Sequence, residues 1–394
     1  MNQEIKQTLP KGFVVILAML TSISPMAMDV YLPSFTQISK YFYTSIDQIE
    51  VTLSIYLIGF ALGQLVGGPF SDRYGRKLFI FIGLSIYILF SFMISIASSV
   101  EQLWVFRFFQ AIGGGFAVVN TSAIVRDMFH GKEGAKVFSM ISMVMMIAPM
   151  VAPVVGATIL HFSSWQFIFI FLSSYAILLL FFITKLPETS PKNKTKNMFT
   201  NYIIILKNKN AVLLMLAGGF GIAALFIFIT KSSFIYMEYY KLDTMHFSLL
   251  FGLNAAGLIV ATKLNIILLE KYSSLKLFLF AIIAQICFAM GLYFISSLNI
   301  LPLMIIGFVL YVSTLGLIFA NVLSLLLEHF KTISATATAL NGVIGFSISA
   351  FIGFVASLLH DGTLDNIFYL MIITSFTSLV ILLILIQKKK KVSQ

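Results

Sequence analysis

Long apolar runs separated by short polar connections dominate the pattern of this chain. Each run has about 20 residues, enough to cross roughly 30 Å of hydrocarbon as a helix, and is too long for the alternating strands of a membrane barrel. Twelve runs predict an all-α membrane protein with twelve transmembrane helices. These predicted spans, numbered 1 to 12 in chain order, cover residues 12–32, 49–70, 78–97, 103–125, 136–160, 164–185, 211–236, 246–268, 275–296, 300–322, 335–359 and 364–387.

One connection is longer and more polar than the others, and it divides the spans six and six. The expected organisation is an N-terminal six-helix bundle over 1–186, a cytoplasmic linker over 187–210 and a C-terminal six-helix bundle over 211–394. Two parallel repeats about an axis along the membrane normal would give this layout. The repeat is inferred from the order of the spans, because the two halves share little sequence.

The composition agrees with a membrane protein and changes how the basic charge is interpreted. Of the 394 residues, 59% are hydrophobic and only 10% are charged, with a net charge of +11. If the N-terminus is cytoplasmic, 22 of the 26 Lys and Arg residues fall on the cytoplasmic side. Membrane proteins concentrate positive charge there, so both termini are expected in the cytoplasm. The basic excess therefore does not indicate nucleic-acid binding.

A tight charged turn between spans 2 and 3 is the most specific motif. The residues from Gly68 to Ile80 resemble the G-x-x-(A/S)-D-R-x-G-R-K signature that major facilitator superfamily (MFS) transporters carry between helices 2 and 3. The resemblance implies the MFS fold and a gate that closes the cytoplasmic side in one state, with Asp72 meeting a helix dipole of the other half. The alternative is a turn whose charges only stop translocation. The candidate gate residues are Gly68, Asp72, Arg73, Gly75, Arg76 and Lys77.

Two ionisable residues inside the predicted spans are candidates for proton coupling. Asp29 lies within span 1 and Arg107 within span 4, and each costs about 2.5–3.5 kcal/mol near a helix centre on insertion scales. Helix rise puts both at a similar depth, so they could face each other across the first bundle. Asp29 is expected to load and release the proton, with Arg107 modulating its affinity. The alternatives are a structural Asp29 beside Pro25 and Pro33, and an Arg107 that reaches the headgroups.

Span 4 carries a second motif. The residues Arg107-x-x-Gln110-Ala-x-Gly113 resemble the helix-4 motif of MFS proton antiporters, with Ala111 at a position that is usually glycine. The resemblance implies that Arg107 takes part in proton transfer and that Gln110 and Gly113 belong to the same motif.

Span 5 carries a third motif, which bears on the direction of transport. Ala148, Pro149, Ala152, Pro153 and Gly156 resemble the helix-5 antiporter motif, with alanine in place of glycine at three positions. Because that motif is associated with exporters, the resemblance favours export over proton-coupled uptake or metabolite transport on the same fold. Close helix packing alone would also explain the small residues, so uptake stays the alternative.

Further strings narrow the resemblance to Bcr/CflA-type drug resistance transporters. They are Met28-Asp-Val-Tyr-Leu-Pro-Ser34, Trp165-Gln-Phe-Ile-Phe169 and Phe251-Gly-Leu-Asn-Ala-Ala-Gly257, together with the motifs of spans 4 and 5. The resemblance implies multidrug efflux across the bacterial inner membrane. Small amphipathic antibiotics would be exchanged for protons, with the proton as coupling ion and no other cofactor.

The expected partners are the lipid bilayer, protons and a small amphipathic substrate, and we expect a monomer. Aromatic and polar side chains should line an adaptable substrate cavity, whereas Lys231 should reach the outer interface by helix rise. No Walker A sequence, dinucleotide fingerprint or metal-ligand cluster is present in the sequence. We therefore expect no catalytic and no metal-binding residue, and an integral membrane enzyme is a remote alternative. The cavity candidates are Tyr31, Tyr56, Asn120, Phe228 and Tyr311.

Overall fold

The computed structural model describes residues 12–129, 131–186, 188–189, 198–330 and 333–393. Within these residues it contains twelve helices that are long and apolar enough to cross a membrane, and no strand. The prediction of an all-α protein with twelve spans is therefore confirmed. The apolar runs form helices because a backbone in hydrocarbon must satisfy its own hydrogen bonds.

The helices follow the predicted order. Their bounds are Phe13–Asp29 with Phe35–Tyr41 (span 1), Ile46–Tyr74 (2), Arg76–Ser95 (3), Val100–Met128 (4), Gly131–Phe162 (5), Gln166–Thr184 (6), the additional short helix Met198–Lys207, Lys209–Ser233 continued by a π-helical turn Phe234–Tyr239 (7), Thr244–Leu269 (8), Ser274–Ser296 (9), Leu301–Ser313 with Leu315–His329 (10), Ser334–Leu358 (11) and Asp365–Ser393 (12).

The chain divides into two compact units of six spans each, Met1–Met198 and Phe199–Gln394. Residues 190–197 of the predicted linker lie outside the described residues. The end of the linker is helical, since Met198–Lys207 precedes span 7 directly. The sequence pattern did not predict this helix because it is only ten residues long.

Span 1 is interrupted in its second half. The helix ends at Asp29, and a 3-10 turn over Leu32–Ser34 joins it to Phe35–Tyr41. Pro33 lies in that turn and has no N–H to donate to the carbonyl four residues earlier. The break therefore frees backbone carbonyls near Asp29 for partners from other helices.

Glycines set how closely spans 2, 3 and 4 approach in the first unit. A Cβ built on Gly113 would stand 2.5 Å from the Gly83 carbonyl oxygen, and one on Gly63 would stand 2.5 Å from the Ile112 carbonyl oxygen. Both contacts are with backbone, which cannot move aside as a side chain can. Small residues thus bring the backbones of these spans into direct contact.

Buried amide side chains tie spans together in the second unit. Gln285 on span 9 donates to the Gly221 carbonyl at 3.2 Å and accepts from Ser375 on span 12 at 3.1 Å. Asn321 on span 10 donates to Asn265 on span 8 at 2.7 Å. Such interhelical bonds contribute about 0.6 kcal/mol each in membrane proteins.

We expect Gly113→Ala to destabilise the first unit by about 1–3 kcal/mol, the usual cost of overpacking a tight contact. Gly114→Ala is the matched control, because its Cβ would meet nothing closer than the Tyr56 hydroxyl at 3.4 Å. Thermal unfolding of the purified variants in detergent measures the difference. Equal transition temperatures for the two variants would contradict the proposed contact between spans 3 and 4.

Candidate functional site

Arg107 lies inside the first unit with no exposed surface. Its Nη1 and Nη2 atoms both donate to the Ala27 carbonyl at 3.2 Å, in the last turn before the break in span 1. Nη1 also donates to Gln110 Oε1 at 2.7 Å, and Gln110 Nε2 donates to Ser91 Oγ on span 3 at 2.7 Å. The span 4 motif therefore links spans 1, 3 and 4 through one buried polar network. Arg107 does not extend to the headgroups.

Three aromatic rings surround the Arg107 guanidinium, and we call them the aromatic cage. The Cζ atom lies 4.5 Å from the ring centroid of Tyr56, 4.8 Å from Tyr31 and 5.7 Å from Phe169. All three side chains are fully buried. Among the described residues, Arg107 forms no ion pair with a carboxylate. Ring faces and a backbone carbonyl thus compensate its charge, and desolvated cation–π contacts contribute about 2 kcal/mol each.

Asp29 is the last residue of the first helix of span 1, two residues after the carbonyl that Arg107 binds. Its side chain is only 5% exposed, and it has no hydrogen bond or ion pair in the part of the chain that the structure describes. The two residues thus belong to the same region, as their depths predicted, but they are not paired directly. The carboxyl group is left without a fixed partner.

The span 5 motif packs on the break in span 1. A Cβ on Gly156 would collide with the Val30 carbonyl oxygen and stand 3.3 Å from Pro33 Cγ. Ala152 and Ala148, about one and two turns earlier, are also buried. Only a residue without a side chain fits at position 156, so the motif fixes the backbone directly after Asp29.

The signature loop turns at Gly75, whose φ of 112° favours glycine. Arg76 follows it and pairs with Asp72 on span 2 and with Asp127 at the end of span 4, its Nε lying 3.2 Å from Asp127 Oδ2. Its Nη1 also donates to Ser71 Oγ at 3.0 Å. The loop is therefore part of an ion-pair network within the first unit, and Asp127 is a member that sequence reasoning missed.

Glu188 and Lys77 form a reciprocal clamp between the ends of spans 3 and 6. The Glu188 carboxylate accepts from the backbone N–H groups of Arg76 at 2.9 Å and Lys77 at 3.2 Å, at the start of span 3. Lys77 Nζ donates to the carbonyls of Thr184 at 2.6 Å and Leu186 at 2.9 Å, at the end of span 6. Each charge thus meets the helix end of opposite polarity. The signal for Glu188 was its position directly after an apolar run.

The other gate residues have more local roles in the structure. The Gly68 carbonyl accepts from Ser71 Oγ at 2.8 Å, and the Arg73 guanidinium lies 5.2 Å from the ring centroid of Tyr74. Their part in gating stays a prediction.

The five candidate cavity residues are all buried. Tyr31 and Tyr56 belong to the aromatic cage, and Asn120 donates to the Phe116 carbonyl of its own helix at 2.7 Å. In the second unit, Tyr311 donates to the Ala224 carbonyl at 3.1 Å, and Phe228 packs within a cluster of aromatic rings. Contact of these residues with a substrate stays a prediction.

Lys231 differs from its prediction. Its side chain has no exposed surface, whereas an interfacial lysine would be solvated. The helix continues for eight residues beyond it, to Tyr239, which is about 12 Å of further helix. Counting from the predicted start of span 7 therefore placed this lysine too near the helix end.

We expect Tyr56→Phe to keep wild-type stability, because the ring face remains, and Tyr56→Leu to lose about 2 kcal/mol through loss of the cation–π contact. A double-mutant cycle with Arg107→Met, followed by thermal unfolding in detergent, isolates the coupling between the two side chains. Phe278→Leu, which removes a fully buried ring in the second unit, controls for the loss of a large ring. If the losses of stability caused by Tyr56→Leu and Arg107→Met were strictly additive, the cage would not stabilise the cation.

We expect Glu188→Ala to speed amide hydrogen exchange at the start of span 3 roughly fivefold, since loss of a helix cap costs about 1 kcal/mol. Glu188→Gln, which keeps one carbonyl oxygen, should lie between that variant and the wild type. Hydrogen exchange with mass spectrometry of peptides containing Arg76 and Lys77 gives the rates, with Thr189→Ala as the control. Unchanged exchange rates in Glu188→Ala would show that the Glu188 carboxylate does not stabilise the start of span 3.

Comparisons with known proteins identify the family of this chain. The family model described as Major Facilitator Superfamily matches residues 17–354. The bicyclomycin resistance protein homolog of Haemophilus influenzae is 32% identical and covers 90% of this chain and 92% of its own length. The chloramphenicol resistance protein of Pseudomonas aeruginosa is 26% identical and covers 89% of this chain and 85% of its own length.

Solved structures agree on the fold. A D-xylose-proton symporter structure superposes with a TM-score of 0.77 over 94% of this chain and 96% of that chain, at 14% identity. At this identity the likeness concerns the fold alone. The resemblance to Bcr/CflA-type proteins is confirmed by the Haemophilus relative. This multi-pass membrane protein therefore belongs to the major facilitator superfamily of transporters.

Proposed function

We propose that this transporter exports small amphipathic compounds in exchange for protons, by alternating access. The observation that carries the proposal is the buried Asp29 carboxyl, which has no fixed partner among the described residues and lies two residues from the carbonyl that Arg107 binds. An ionisable group inside a membrane span is costly and generally marks an ion or substrate pathway. A carboxyl group without a permanent ion pair is free to exchange a proton.

Arg107 supplies a positive charge in the region of Asp29 that does not change with pH. A guanidinium does not deprotonate in proteins, and the cage and the Ala27 carbonyl hold it without using Asp29. Protonation of Asp29 therefore changes the net charge of this region by one unit. A substrate that binds better when Asp29 is ionised would compete with the proton, which gives the differential binding that coupled exchange requires.

The names of the relatives support the substrate class. One is a bicyclomycin resistance protein homolog and another a chloramphenicol resistance protein, so both names refer to resistance against small antibiotics. The span 5 motif supports export, because its resemblance is to exporters and its Gly156 packs on the backbone next to Asp29. We further propose that the signature loop and its ion pairs form a cytoplasmic gate.

The proposed setting follows from the charge distribution and the relatives. Both termini would lie in the cytoplasm, and the membrane would be the bacterial inner membrane. The transporter would act as a monomer, with the proton as its coupling ion and no bound cofactor.

We expect the purified wild-type protein in detergent to release protons when chloramphenicol or bicyclomycin binds, and Asp29→Asn to bind without proton release. A pH indicator in weakly buffered solution detects the release, and binding is measured separately by calorimetry. Glu101→Gln removes an exposed carboxyl group at the start of span 4 and should behave as the wild type.

Drug binding without any proton release in the wild type would contradict competition between proton and substrate. Absence of binding of both probes would contradict the proposed substrate class. Direction is tested in proteoliposomes with an imposed pH gradient. Accumulation that requires proton and substrate to move in the same direction would establish uptake in place of export.

A further inference from the structure

Span 7 is long enough to cross a bilayer without the short helix Met198–Lys207 that precedes it. Span 7 runs without a long break over the 31 residues Lys209–Tyr239, and about 20 suffice for the hydrocarbon core. Asn208 separates the two helices and caps span 7 by accepting from the N–H groups of Asn210 and Ala211, both at 3.1 Å. The short helix is therefore a separate element at or beyond the membrane surface.

This short helix exposes apolar side chains that its own unit does not cover. Tyr202 and Ile205 are buried, which gives the helix an inward face. Ile203 and Leu206 lie three residues apart on a neighbouring side, and they are 53% and 50% exposed. Ile204, on the opposite flank, is 48% exposed. Large aliphatic groups on both flanks of a buried face are unfavourable in water and favourable beside acyl chains.

The charged residues in the sequence on both sides of the short helix, from residue 189 to residue 237, are all lysines. No Asp or Glu occurs from residue 189 to residue 237, whereas five lysines fall between residues 192 and 209. Lys207 and Lys209, at the end of the helix and the start of span 7, are exposed. Lys207 is four residues after Ile203, so the two share one side of the helix.

We propose that this helix lies in the headgroup layer of the cytoplasmic leaflet and binds anionic phospholipid. Ile203 and Leu206 would enter the upper acyl region, and Lys207 and Lys209 would contact lipid phosphates. Amphipathic helices with basic flanks bind interfaces in this way, and juxtamembrane lysine clusters attract anionic lipids. The proposal depends on the cytoplasmic assignment of this connection and is independent of the transported substrate.

Because the chain has a single native cysteine, Cys287, one substitution gives a cysteine-free background for labelling. In a Cys287→Ser background, Ile203→Cys, Leu206→Cys or Thr200→Cys is labelled with the fluorophore NBD, and the full-length protein is placed in lipid nanodiscs. Thr200 is exposed but polar, so it is the matched control. One set of nanodiscs contains phosphatidylcholine alone, and the other contains phosphatidylcholine with one quarter phosphatidylglycerol.

Labels at 203 and 206 should emit at shorter wavelength than the label at 200 and resist quenching by aqueous iodide. This protection should increase with phosphatidylglycerol and decrease in Lys207→Gln/Lys209→Gln. Quenching at 203 and 206 equal to that at 200 would overturn the interfacial position. Equal protection in both nanodiscs would overturn the preference for anionic lipid.

Discussion

The first six-helix unit depends on one constraint, which is that the charge of the fully buried Arg107 must be satisfied without a carboxylate among the residues that the structure describes. Three ring faces, the Ala27 carbonyl and Gln110 meet that requirement, and they come from spans 1, 2, 4 and 6. Removing any one of these partners would leave a buried cation less compensated, which is costly in a medium of low polarity. The Ala27 carbonyl that the guanidinium binds lies in the last turn before the break in span 1, which contains Pro33.

The motifs that are separate in the sequence are joined in the structure by contacts to backbone. Gly156 of span 5 touches the Val30 carbonyl, Gly113 of span 4 touches the Gly83 carbonyl, and Arg107 binds the Ala27 carbonyl. Backbone contacts of this kind are short and rigid, so spans 1, 3, 4 and 5 are held at fixed separations. Within that frame the buried Asp29 carboxyl has no hydrogen bond or ion pair among the residues that the structure describes. A titratable group in rigid surroundings suits a site that changes charge without changing its shape.

The sequence was sufficient for the twelve spans and the family, because each rests on long apolar runs or on a motif of many positions. It was not sufficient for the contacts of individual charges. Depth along a helix suggested that Asp29 and Arg107 could meet, but rotation about the helix axis decides the partner, and it directs Arg107 toward aromatic rings and a carbonyl. Lys231 was misplaced because the end of its helix lies beyond the predicted span. Asp127 and Glu188 were missed because their partners are more than fifty residues away in the chain.

The contact between Glu188 and the start of span 3 has a consequence for how sequence variation in this region should be interpreted. Its partners at that end are backbone N–H groups, which every residue except proline supplies, so substitutions at positions 76 and 77 do not have to follow those at 188. Position 75, directly before them, is constrained by its own backbone, because its φ of 112° favours glycine whatever residue stands at 188. Covariation among related sequences would therefore show little trace of the contact between Glu188 and the start of span 3. Methods that search for complementary charges would overlook that contact.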